Sequence, residues 1–582
     1  MKKFVIKIVS LLCCLAMLAG MTAACDQPNS NETKPNTDAT TPSGTAPECY
    51  FEALDQRASN DGRIIVSYDV TADVADDYDH IEVRVYHDDE NNRLLCATNV
   101  DATKRTAYVD TSYGKLRMEL VGVKADGSAT VLANETAKVW ADEYNFASLN
   151  GTFPVVYFTL ELFSMNGDSR ENFVNANANG KNIQFLANVP TFVSLERTAA
   201  YNWEKLPENV YTLPNTTYEH AVQGDFHGMN TKMAAYIKEL NEINPESKFH
   251  FYCVDNYPEL IVKFFTAQGV DDDHFDATMI SDGTASVSAF MDLYKEDGSE
   301  TTYEEMKKAW ETIKDKAAKG EQDYLSNVLN GSTDGCSILW KYAITMVNEE
   351  DNIQWWCSRD NFTKNTESQY MKDVLANVKG TKLQYFGIND MLSNLSADDQ
   401  SYLKELFHFD GEMFSAAEES GKKALVLIGT STSDEVNIAE YVKLVKALYG
   451  EEYVIYYKGH PGYPTGLYAE KTELFEKYGV TDIDASIAAE LILFYCPDIY
   501  LAGWPSTTYK SAHTDKLLAL FDQTMESGLN FANTDGYGDT PDSCFSVVEV
   551  SGKKYVKIEY AADDAVKYFD TESLTFIDKL PA

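Results

Sequence analysis

Positive charge is scarce in this chain. Its 582 residues carry 49 Lys and Arg against 91 Asp and Glu, a net charge of −42 at pH 7. No basic stretch offsets that balance, so phosphate backbones are repelled and general nucleic-acid binding is excluded. Long apolar runs are scarce too. One occupies residues 8–21, shorter than the ~20 residues that cross a bilayer, and no later segment approaches it. The 10 cysteines never fall at CxxC spacing, which argues against a disulfide framework and against a metal centre; the expected metal and cofactor complement is none. Cys49 and Cys96 are placed to bridge within one small domain, whereas Cys253 and Cys496 lie in apolar surroundings and read as buried small hydrophobes. Asp271-Asp272-Asp273-His274 has a metal-like composition, but a solvated loop is the expectation there, as it is for Asp76-Asp77-Tyr78-Asp79.

What the chain does have excludes disorder over its length. Hydrophobic residues make up 44% and aromatics 12%, and 36 Tyr are spread throughout, which is material for more than one core. Residues 1–24 read as a secretory signal: Lys2, Lys3 and Lys7, then the apolar stretch, then the small residues Thr22-Ala23-Ala24. Cys25 follows directly and resembles a bacterial lipoprotein acylation site. Residues 25–47 are rich in Asn, Thr, Pro and Ser and read as a flexible tether. The expectation is an exported, surface- or periplasm-facing lipoprotein anchored through a lipid on Cys25; simple cleavage and release stays open.

Between residues 48 and 145 the pattern has period two. Ile64-Ile65-Val66-Ser67-Tyr68, Ile81-Glu82-Val83-Arg84-Val85, Thr106-Ala107-Tyr108-Val109 and Leu116-Arg117-Met118-Glu119-Leu120 alternate or nearly so, with turn signals at Asp61-Gly62 and Asp126-Gly127. About seven short strands in this span predict an immunoglobulin-like β-sandwich, with a spacing or docking role and no visible chemistry. After Pro154 strands alternate with helices, the texture of an α/β layer architecture. Residues 150–415 are assigned to a first Rossmann-like domain, with strands at 248–254 and 275–280 and a mostly helical stretch from 303 to about 415. A second Rossmann-like domain follows at 416–535, with strands at 424–428, 453–457 and 499–501 and helices at 438–448 and 486–494. Residues 536–582 are read as a C-terminal extension containing a β-hairpin around Ser551-Gly552. Two such domains facing a cleft predict the GT-B arrangement.

The residues that carry chemistry stand at the carboxyl ends of these expected strands, where ligands collect in parallel sheets. Asp282 is a carboxylate beside Gly283, which lets a ligand approach the backbone. His460 tops another strand, after Lys458 and Gly459 and before Pro461. Ser506 and Thr507 offer hydroxyls, and backbone amides if helix follows, at a third strand end. A carboxylate, an imidazole and an anion site are the parts that group transfer from a phosphate-linked donor requires. Each has a plainer reading: Ser-Asp-Gly-Thr is ordinary turn chemistry, His460 a satisfied loop histidine, Ser506 a helix cap and Glu490 a surface residue.

Together these segments resemble the bacterial sialyltransferases of glycosyltransferase family 80, the Pasteurella and Photobacterium type. Ser281-Asp282-Gly283-Thr284 resembles the family's acidic-acidic-Gly motif, with Ser281 at the place of the first acid. Tyr457-Lys458-Gly459-His460-Pro461 resembles its Lys-Gly-His-Pro motif, and Ser506-Thr507-Thr508-Tyr509 its Ser-Ser/Thr motif. Gly429-Thr430-Ser431-Thr432 resembles the donor loop, and Ile487-Ala488-Ala489-Glu490-Leu491 the helix whose Glu holds the ribose hydroxyls. The resemblance implies CMP-sialic acid as donor, a galactose-terminated glycan as acceptor, and inversion without a metal. It implies Asp282 as base and His460 as acid, with Gly429, Thr430, Lys458, Gly459, Pro461, Glu490, Ser506 and Thr507 around the donor. Two other classes stay open: an exported glycan-binding lipoprotein with a degenerate transferase domain, and a GT-B transferase using another nucleotide sugar.

Overall fold

The computed structural model describes residues 49–54, 56–58, 62–88, 94–150, 152–165, 182–188, 202, 205, 210–211, 226–255, 257–281, 303–324, 343–358, 383–386, 388–407, 409, 411–429, 438–459, 468–484, 487–504, 506–510, 516–521 and 541–582. The signal, the tether and Cys25 lie outside them.

The period-two region folds as seven antiparallel strands. These are β1 (Cys49–Ala53), β2 (Arg63–Val70), β3 (His80–His87), β4 (Leu94–Val100), β5 (Thr106–Asp110), β6 (Gly114–Val123) and β7 (Ala129–Val139). They form a three-stranded sheet in the order β1-β2-β5 and a four-stranded sheet in the order β4-β3-β6-β7. Along β3 every second residue is buried, so Ile81, Val83 and Val85 face inward. Val66, Tyr68 and Val109 from the first sheet and Val85, Leu116 and Met118 from the second enter one apolar core.

Seven parallel strands follow: β8 (Glu143–Asn150), β9 (Asn182–Asn188), β10 (Val210–Tyr211), β11 (Lys248–Val254), β12 (Phe275–Ile280), β13 (Ile353–Ser358) and β14 (Leu383–Phe386). Their spatial order is β10-β9-β8-β11-β12-β13-β14. The order reverses between β8 and β11, the mark of a doubly wound Rossmann sheet. The helix α1 (Thr152–Met165) follows β8, with Pro154 tolerated in its first turn. The helix α2 (Phe226–Ile243) precedes β11.

One expectation is corrected here and another is completed. Residues 143–150 straddle the gap left between the sandwich and the first α/β domain, yet they form β8, beside the switch point. Tyr144, Phe146, Ala147 and Leu149 are all buried, because this strand is covered on both faces. The stretch expected to be mostly helical is so among the described residues, and it also contains β13 and β14. Trp355 and Trp356 face opposite cores, a two-sided burial that leaves no alternation to read.

A second sheet is built from β15 (Lys423–Ile428), β16 (Tyr453–Lys458), β17 (Val480–Ile483), β18 (Tyr500–Gly503), β19 (Leu517–Phe521), β20 (Ser543–Val550), β21 (Lys553–Tyr560), β22 (Val566–Asp570) and β23 (Thr575–Ile577). Its order is β17-β16-β15-β18-β19-β20-β21-β22-β23, parallel through β20, with the switch between β15 and β18. The hairpin expected around Ser551-Gly552 is present, with φ of 55° and 78° at those residues. It is no appendage: β20 pairs in parallel with β19, and β21 to β23 extend the sheet as an antiparallel meander. The expected helix at 486–494 is α3 (Ala489–Tyr495).

Buried clusters join these parts. Tyr113 and Leu116 of the β-domain share a core with Tyr144, Met233 and Ile237. Leu149, Val155, Ile280 and Trp356 of the first α/β part share another with Val426, Ile428, Tyr456 and Leu491 of the second.

Candidate active site

Three strand ends of the second sheet meet at its switch point, and glycines make the meeting possible. The Gly429 amide donates to the Lys458 carbonyl at 2.9 Å, and the Trp504 amide donates to the Ile428 carbonyl at 3.0 Å. A Cβ on Gly429 would run into the Tyr457 hydroxyl and come within 3.3 Å of the Gly459 Cα. Gly503 has φ of +130°, and a Cβ there would run into the Ile428 carbonyl. The backbones of β15, β16 and β18 therefore open into their loops from one closely packed ridge.

Charge is buried beside that ridge. Lys458 is buried, and its Nζ donates to the Gly459 carbonyl at 2.9 Å. Glu490, in the first turn of α3, is buried too. Burial pushes its carboxyl up from the ordinary range, opposed first by a hydrogen bond from its own backbone amide and then by the Lys458 charge. The surface-residue reading of Glu490 is thereby overturned.

Ser506 is half-buried and follows β18. Its hydroxyl accepts the Thr508 amide at 3.3 Å and donates to the Thr508 hydroxyl at 3.0 Å. It caps a short 3-10 turn, Thr507–Lys510, which follows the strand among the described residues. The structure thus gathers Gly429, Lys458, Gly459, Ser506 and the Thr507 backbone along one sheet edge, with Glu490 on the helix packed beneath. Thr430, His460 and Pro461 lie outside the described residues.

On the first sheet, Ser281 follows β12 directly, buried, with its amide donating to the Trp356 carbonyl at 3.0 Å. Asp282 is the next residue of the chain and lies outside the described residues. Sequence reasoning missed a neighbouring polar group at the same edge. Asp255, fully buried, follows β11 directly and accepts the Trp355 indole N–H at 3.1 Å. Its amide donates to the Ile280 carbonyl at 2.9 Å, which sets it across from Ser281. Nearby, the Ser148 hydroxyl donates to Asn230 Oδ1 at 2.6 Å within the core. Asp255 had a signal: an acid immediately after the apolar run Phe251-Tyr252-Cys253-Val254, the same grammar as Asp282 after β12.

Asp271, Asp273 and His274 come together with ligand atoms within 4.8 Å of one another. They occupy the turn that enters β12, at the opposite end of the strand from Ser281.

No family model matches the chain, and no curated protein does. Among solved structures it is similar to the 2,6-sialyltransferase of a Photobacterium species in complex with CMP and lactose, at 13% identity over 78% of this chain and 87% of that one, with a TM-score of 0.49. It is also similar to an α/β-galactoside α-2,3-sialyltransferase from Photobacterium phosphoreum, at 12% identity over 67% and 93% of the chains, TM-score 0.44. A sialyltransferase from Photobacterium damsela gives 12% over 84% and 93%, TM-score 0.44. What the site can do is read from its own residues.

Proposed function

We propose that this protein is an inverting, metal-independent sialyltransferase with a GT-B arrangement, moving sialic acid from CMP-sialic acid to a terminal galactoside. The observation that carries the reading is the second switch point. There the Gly429, Lys458-Gly459 and Ser506 segments of the resemblance, far apart in sequence, run along one sheet edge above a buried Glu490. A buried carboxylate on a helix beneath a glycine ridge suits a ribose diol, and the Ser506 turn suits a phosphate.

In this reading the acceptor hydroxyl oxygen attacks the anomeric carbon while the bond from that carbon to the CMP phosphate oxygen breaks. Asp282 takes the hydroxyl proton, and His460 gives a proton or hydrogen bond to the departing phosphate. Attack opposite the leaving group inverts the centre. Residues 1–24 and Cys25 would export and anchor the enzyme.

Ser281 favours one second reading. A buried, uncharged residue stands where the resembling family has its first acid, which fits a glycan binder whose transferase site has decayed. Incubation with CMP-sialic acid and lactose separates the two. CMP release with sialyllactose supports the transferase, whereas lactose binding without CMP release favours the binder.

A further inference from the structure

We propose that Glu143, Asn145 and His250 form a binding site for a divalent transition-metal cation at the amino end of the first sheet, with Asp276 holding the imidazole from behind. The site stands apart from the transfer reaction and does not rest on the nucleotide-sugar reading.

Strand parity puts the four side chains on one face. Along β8, Tyr144 and Phe146 enter one core and Ala147 and Leu149 the other, so Glu143 and Asn145 share the face of Ala147. Along β11, Phe249 and Phe251 enter the first core and Val254 the second, which sends His250 to that same face. Asp276 follows the parity of Ile280 and joins them. Asn145, His250 and Asp276 are register partners across three neighbouring strands, and Glu143 stands two residues before Asn145.

The bonding within this group is incomplete in one direction. His250 Nδ1 donates to Asp276 Oδ2 at 2.6 Å. An ionised carboxylate only accepts, so Nδ1 carries the proton and the neutral ring presents its lone pair at Nε2. That Nε2 is buried without a hydrogen bond, and Glu143 Oε2 lies 3.9 Å from it. Asn145 is only 7% exposed, and its Nδ2 is buried with no acceptor. A half-turn of that amide exchanges nitrogen for oxygen and presents an acceptor instead. Lys248, the register partner of Glu143, is exposed and forms no ion pair with it.

An imidazole nitrogen, a carboxylate oxygen and an amide oxygen on adjoining positions are what a cation satisfies. Tetrahedral zinc sets its nitrogen and oxygen ligands about 3.3 Å apart, so the half-buried Glu143 side chain needs to close by only about 0.6 Å. Imidazole among the ligands favours zinc, copper or nickel over magnesium or calcium. Asp276 behind the ring supplies the outer-shell carboxylate that fixes a metal-bound histidine and raises its basicity. The neighbouring Asp271, Asp273 and His274 cluster holds no buried unpartnered group, and it serves as the control.

The test is titration of the chelator-treated full chain with Zn²⁺, read by calorimetry and by the melting midpoint. Wild type should bind zinc and melt higher with it, because the cation ties β8 to β11 in the folded chain only. His250→Ala and Glu143→Gln should each abolish that shift. Asp276→Asn should weaken zinc about 10–100-fold, acting through the imidazole. Asn145→Asp should do the reverse: melt below wild type without zinc and bind zinc more tightly, since a carboxylate replaces a neutral ligand. A purely structural His250–Asp276 bond predicts no such gain. His274→Ala should leave the shift unchanged.

Wild type that binds no zinc overturns the proposal, as does a zinc shift that survives in Glu143→Gln. Loss of the shift in His274→Ala places the cation at the exposed turn and overturns it too. If His250→Ala does not fold, Glu143→Gln, on a half-buried side chain, gives the answer by itself.

Discussion

The carboxylate of Glu239, on α2 of the first α/β part, accepts the backbone amide of Lys115, on β6 of the β-domain, at 2.5 Å. The His87 Nε2 lies 3.4 Å from the same oxygen, and Gly114 beside it has no room for a Cβ. Burial works against charge on Glu239, but the nearby His87 side chain and the bond from the Lys115 amide prevail and hold its carboxyl below the ordinary range. A carboxyl lowered in this way contributes stability that is present above about pH 4.3 and lost as pH falls through the folded-state value. Wild type should therefore lose stability below that pH more steeply than Glu239→Gln. At neutral pH the variant should be less stable by roughly 1.5–3 kcal/mol, the range for a hydrogen bond to a charged group. Urea unfolding at several pH values checks both, and parallel pH profiles would remove Glu239 from the account.

The same contact bears on the role of the β-domain. A placement module would be dispensable for folding, but here Tyr236 of α2 donates its hydroxyl to the Tyr113 carbonyl at 3.0 Å, and Tyr113 stacks edge-on against Tyr144 of β8 at 5.4 Å. A chain starting at residue 141 should lose solubility or melt well below the full protein, since each bared aromatic forfeits roughly 1.5–3 kcal/mol. A chain starting near residue 150 should not fold, because it lacks β8 altogether. Differential scanning calorimetry decides; a cooperative, soluble 141–582 chain with an unchanged midpoint would restore the placement role.

Gly503 and Gly429 should separate stability from binding. At Gly503 an alanine meets both the +130° φ and the Ile428 carbonyl, so Gly503→Ala should cost on the order of 1–3 kcal/mol from backbone strain alone, with crowding added. At Gly429 the obstacle is the Tyr457 hydroxyl, and Gly429→Ala should displace the loop and weaken CMP with a smaller loss of stability. Unfolding and CMP titration of both variants test the distinction. Equal stability of Gly503→Ala and wild type would mean that β18 does not need that conformation.

Asp282 and His460 carry the chemistry in the proposed reaction. Asp282→Asn keeps the shape and cannot take the proton, so turnover should fall roughly 10²–10⁴-fold with CMP affinity nearly unchanged. Ser281→Asp should stay within a few-fold if Asp282 is the base. His460→Ala should slow transfer less when the donor's leaving group needs no protonation. Full activity in Asp282→Asn would place the base elsewhere, and Asp255, across from Ser281, would be the next carboxylate to substitute.

Local order determined much that the sequence alone could show. The strict alternation of Ile81, Val83 and Val85 specifies a strand with one buried face wherever it lies. The apolar runs 424–428 and 453–457, each ending in a Lys or Gly segment, announce parallel strands with loops at their carboxyl ends; in the fold these are β15 and β16. Ser551-Gly552 marks a turn because few residues accept two positive φ angles in succession. Tertiary structure alone decided the rest. Glu143–Asn150 and Ile353–Ser358 are strands because sheets and helices cover both their faces, so their own pattern shows no period. Strand order is not written in any segment either. Only the packing of β18 beside β15 brings Gly503 against Ile428, and only the parity of β16 puts Lys458 on the face that α3 covers. Those contacts join residues tens of positions apart, and no local preference encodes them.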